Sequence, residues 1–124
     1  MKLSTQREIT ELIGLQSGGS HVAIGGQIHN LNDLRGGVGL IVAENAGGRV
    51  LYVGSVYRPR QRDGLRARLR ELLRTPARDD RWDTITVFPL TDQTPEQDVR
   101  QLKGTLSIWL VPVESQSWPC VRRG

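Results

Sequence analysis

A chain of 124 residues with a hydrophobic content of 37% supports one domain with one core, because a second domain would leave neither half enough surface to bury. Lysine and arginine number 17 against 13 acids, and a single cysteine, Cys120, excludes an intrachain disulfide and a cysteine-based zinc site, which fits a reducing, cytoplasmic setting. The first residues lack the apolar core of a signal peptide and no run is long enough to span a bilayer, so a soluble protein with no membrane partner is expected.

Thr5 and Glu8 form a capping box ahead of Ile9, Leu12 and Ile13, which predicts a short peripheral helix ending near Gly14. From Gln16 to Gly37 the chain is rich in Gly, Ser and Asn and reads as loop, with one strand-like run, His21 to Ile24. His21 and His29 have no cysteine or acidic cluster at metal-ligand spacing, so they are read as solvated or locally bonded. Gly36, Gly37 and Gly39 do not make a dinucleotide fingerprint, because the third glycine is missing and a strand follows instead of a helix.

Val38 to Ala43 and Arg49 to Val53 are β-branched runs separated by Glu44-Asn45-Ala46-Gly47-Gly48, whose Asn and Gly accept the positive φ of a hairpin loop. After Gly54 an arginine-rich loop leads into a helix whose Leu65, Leu69, Leu72 and Leu73 form one apolar stripe. Thr75-Pro76 stops it, and a polar connection carrying Trp82 leads to Thr84 to Leu90, a third strand with Pro89 near its end. A last helix follows, with Thr94 as N-cap, Pro95 at its first position and Gln97 completing the box. Val99, Leu102, Leu106, Trp109 and Leu110 make its apolar stripe until Pro112; the tail, with Trp118, has no pattern. This order is that of a small α/β sandwich, with a mostly antiparallel three-stranded sheet flanked by helices.

The positive charge is local. Nine arginines lie between Arg58 and Arg81, opposed only by Asp63, Glu71, Asp79 and Asp80. Arginine pairs with phosphate in a forked geometry and releases condensed counterions, so Arg58, Arg60, Arg62, Arg66, Arg70 and Arg74 are candidate nucleic-acid contacts. A solvated helix face is the plainer reading of the same charges.

These residues resemble the GIY-YIG nucleases. Tyr52-Val53-Gly54-Ser55 matches the second motif, Gly39-Leu40-Ile41 stands where the first belongs, and Leu65, Arg68 and Leu69 match the later arginine motif. The likeness covers residues 37 to 115, leaving 1 to 36 as an N-terminal helix and Gly-rich extension and 116 to 124 as a tail. It is nearest to the version that opens the excision-repair nuclease subunit. The resemblance implies a site built from tyrosines of both motifs, a helical arginine and a glutamate holding one divalent cation; Tyr52 and Arg68 are its retained catalytic positions.

The departures lie at the chemistry. Ile41 replaces the first-motif tyrosine, Leu72 a frequent histidine, Ser115 a closing asparagine, and Lys103 the metal-binding glutamate when Pro112 is aligned with the family's proline. An ammonium cannot ligate Mg²⁺, so no metal or other cofactor is expected, and Lys103 becomes a further cation for phosphate. The leading expectation is a GIY-YIG-like domain that binds nucleic acid, with DNA favoured over RNA but not fixed by the sequence, and that has a degraded phosphodiesterase site. One alternative is a divergent Mg²⁺-dependent DNA endonuclease using Tyr52, Tyr57, Arg68 and Glu96; another is a protein-interaction domain keeping only the fold.

Overall fold

A computed structural model describes residues 1–16, 26–27, 34–74 and 81–112. Their elements run α1 (Leu3–Gln16), β1 (Gly26–Gln27), β2 (Val38–Glu44), β3 (Val50–Tyr57), α2 (Gly64–Leu73), β4 (Thr84–Pro89) and α3 (Glu96–Leu110). The strands form one sheet in the order β1-β4-β2-β3, antiparallel at every pairing. The three expected strands are thus present, extended at one edge by the two residues of β1.

β2 is buried along its whole length, which explains why Val38 to Ala43 reads as an unbroken apolar run. Its alternate side chains feed two cores. Val38, Leu40 and Val42 join Val53, Phe88 and Leu90 beneath Ile9 and Ile13 of α1 and Val99, Leu102 and Leu106 of α3. On the other face Ile41 and Ala43 join Val56 and Val87 beneath Leu65, Leu69 and Leu72 of α2, with Leu34 and Trp82 closing the edge. The domain is therefore three layers, α1 and α3 on one side of the sheet and α2 on the other.

The hairpin turns at Asn45, whose side-chain oxygen accepts from the backbone of Gly47 (3.0 Å) and Arg49 (2.9 Å) while Gly48 takes φ +83°. A bulge next to it, with Ala43 opposite Tyr52 and Glu44 opposite Val50, lets Leu51 and Tyr52 both serve the α2 side.

Several boundaries differ from the sequence-based reading. The second strand runs Val50–Tyr57 and not Arg49 to Val53, so the arginine loop begins at Arg58. α1 begins at Leu3, which puts Thr5 inside the helix and not at its cap, and Ile9 and Ile13 are fully buried, so the helix is a core element. At α3 the cap position belongs to Pro95 in extended conformation (φ −62°, ψ 147°); the buried Thr94 hydroxyl pairs instead with that of Thr91 (3.1 Å). Trp109 leaves the apolar stripe, 43% exposed. The run 21–24, the stop at 75–76, Ser115 and the tail lie outside the described residues.

Candidate nucleic-acid interface

The two motif positions meet on the α2 side of the sheet. Ile41 stands directly across from Gly54, and the Tyr52 ring lies along its own strand over that glycine. A Cβ at Gly54 would come within 2.6 Å of Tyr52 Cζ, so the glycine of the YVG run is what allows the tyrosine to lie flat. Trp82 packs on the same ring, centroids 5.2 Å apart at an interplanar angle of 32°. Ile41 is 1% exposed, so an apolar side chain stands buried across from Gly54.

Arg68 is half-buried on the flank of the α2 stripe, and it is already engaged. Its Nη1 donates to Glu71 Oε1 at 3.2 Å, while Arg58 Nη2 spans both oxygens of the same carboxylate at 3.1 Å each. Hydrogen bonds from Arg58 first and Arg68 second hold the Glu71 carboxyl below the usual carboxylate range. Sequence spacing signals the Arg68–Glu71 contact, since residues three apart share a helix face. Nothing local signals Arg58, thirteen positions away in sequence.

Beside this clasp the 58–64 loop folds against Gly36 and Gly37. The Gly36 amide donates to the Arg62 carbonyl (2.7 Å), the Arg58 amide to Gly37 (2.7 Å), and the Leu65 amide to Gly36 (3.0 Å). A Cβ at Gly37 would overlap the Arg58 carbonyl oxygen and come within 2.6 Å of that of Gln61, so the two segments touch backbone to backbone. The loop walls a groove of about 640 Å³, lined among others by Arg35, Arg60, Arg62 and Arg66, with Asp63 and Asp92 as its acids. Arg35 was missing from the sequence-based set because the intervening hairpin separates it from the other arginines. Arg66, Arg70 and Arg74 recur every four residues and continue the basic surface along α2 from the groove.

The remaining candidates lie on the opposite layer. Lys103 and Glu96 are exposed on α3, and Glu96 pairs with Arg100 at 3.2 Å. Tyr57 pairs with Val38, which belongs to the α1 and α3 core, so its side chain leaves the sheet away from Tyr52. Lys103 therefore does not join Tyr52 and Arg68 in one groove, and Tyr52, Tyr57, Arg68 and Glu96 do not form one site: the sheet stands between the pairs. Among the described residues no group of three or more His, Cys, Asp or Glu is placed to hold a metal ion. No helix among them is long and apolar enough to cross a membrane.

No protein-family model, curated protein or solved structure matches this chain. The functional reading therefore rests on the geometry of the α2 side.

Proposed function

We propose that this chain is a nucleic-acid-binding domain of the GIY-YIG kind that has lost phosphodiester hydrolysis and contacts DNA through the α2 side, in the cytoplasm. The observation that carries the proposal is the continuous basic surface from Arg35, Arg60 and Arg62 in the groove to Arg66, Arg70 and Arg74 on the helix. Arg60, Arg62, Arg70 and Arg74 are exposed, and a row of guanidinium groups at helical spacing suits a phosphate backbone.

The loss of hydrolysis is supported by the same side. Cutting needs an oriented water, a proton acceptor and a metal held by hard oxygen donors. Next to Tyr52 stands buried Ile41, and Glu71, the carboxylate on Arg68, is held by two guanidinium groups. The expected outcome with Mg²⁺ or Mn²⁺ is retention of single-stranded, duplex and branched DNA without cleavage. Divalent-dependent cutting that Arg68→Ala abolishes would overturn this half of the proposal.

A protein-interaction role is favoured by a different surface, where Leu15 (81% exposed), Ile108 (82%) and Trp109 (43%) stand on α1 and α3. No DNA binding by the wild-type chain, together with a protein association that is lost on changing these residues, would favour it.

A further inference from the structure

Within the basic surface the groove differs from the helix row, because it is concave and its walls are fixed. Its loop is tied to Gly36 and Gly37 by backbone hydrogen bonds of 2.7 to 3.0 Å, so the arginines it carries hang from a rigid frame. The first amides of α2 are already used, Gly64 donating to Gln61 (3.2 Å) and Leu65 to Gly36 (3.0 Å), so anion binding here falls to side chains.

The side chains of Arg60, Arg62 and Arg66 are under-occupied. The guanidinium groups of Arg60 and Arg62 make no hydrogen bond or ion pair to another described residue. Arg66 reaches Asp63 only at 3.9 Å, and its Nε–H is buried without a protein acceptor, which costs free energy. Arg35 is steadied at the wall by the Leu34 carbonyl, which accepts from its Nη1 at 3.0 Å.

Among the described residues four arginines line the groove against Asp63 and Asp92, and its volume of about 640 Å³ has room for a terminal nucleotide. A phosphomonoester carries about −1.5 to −2 charges near neutral pH and three terminal oxygens for forked pairing, whereas a backbone diester carries one charge. We infer that this groove binds the terminal phosphomonoester of a nucleic-acid strand, so that the domain prefers phosphorylated strand ends; this rests on the nucleic-acid-binding reading above.

The test is direct binding of short single-stranded DNA bearing a 5′-phosphate, a 3′-phosphate or only hydroxyl ends, with inorganic phosphate as competitor. One phosphorylated end should bind at least about tenfold tighter than the hydroxyl strand, the scale of one charge-assisted hydrogen bond. Inorganic phosphate should erase that difference, and acidification below about pH 6, where the monoester gains a proton and keeps one charge, should shrink it. Arg60→Ala with Arg62→Ala, both on an exposed loop, should cost the phosphorylated strand several-fold more than the hydroxyl strand and so close the gap between them. Equal binding of all three strands by the wild-type chain overturns the end preference while leaving nucleic-acid binding intact. Equal losses for all strands in the double variant do the same, and no binding of any strand overturns both.

Discussion

Glu71 occupies the two arginines that a phosphate on this side of the sheet would want. Its carboxylate accepts from Arg58 and Arg68, so under the proposed function it would compete with a phosphate for them. Glu71→Gln should raise affinity for a hydroxyl-ended oligonucleotide several-fold, measured by fluorescence anisotropy. The pH sign follows from the lowered carboxyl: it binds its proton more weakly folded than unfolded, so its contribution to stability is present above the ordinary carboxylate range and is lost as pH falls through the lowered value. Wild type and Glu71→Gln should therefore differ in denaturant midpoint at neutral pH and converge in acid. Gly54 makes a second residue-scale case. Gly54→Ala drives a methyl into the Tyr52 ring and disturbs its packing on Trp82, with an expected loss of about 1 to 3 kcal/mol in chemical unfolding. An unchanged midpoint would mean the tyrosine does not lie over that glycine.

Among the elements, those with strong local chemistry were legible. The hairpin announces itself because Asn45 and Gly48 supply a side-chain acceptor and a positive φ, and β4 because its β-branched run reads as a strand in isolation. The misreadings had particular causes. Gly54 looks like the end of a strand, but it is there for Tyr52, and pairing continues through Ser55, Val56 and Tyr57. The Thr5 and Glu8 pair imitates a cap, although the helix starts earlier and its Ile9 and Ile13 are core residues. Of the site, the helical arginines were legible from composition and spacing, while the Arg58–Glu71 contact and the Gly37 approach are tertiary and leave no local pattern. Gly37→Ala should test that approach, since the new Cβ meets two carbonyl oxygens. Overpacking against backbone predicts a loss of about 1 to 3 kcal/mol or more, and faster amide exchange at Arg58 and Leu65, whose hydrogen bonds tie the loop down.

For the whole molecule, the sheet sorts the charges. Arg58, Arg68 and the groove lie on the α2 side, Lys103 and Glu96 on the α3 side, so a strand bound along α2 stays clear of Lys103. Affinity for duplex DNA should fall steeply with salt, and Arg70→Ala or Arg74→Ala should each reduce the slope of log affinity against log salt by about one unit, whereas Lys103→Ala should leave it unchanged. The most direct measurement is backbone amide chemical-shift mapping during titration with a short single-stranded oligonucleotide at low salt. The expected result is a set of perturbed amides confined to 35–37 and 58–74, with the exposed face of α3 silent. Perturbations centred on Lys103 and Trp109, or none at all at oligonucleotide excess, would contradict nucleic-acid binding by the α2 side.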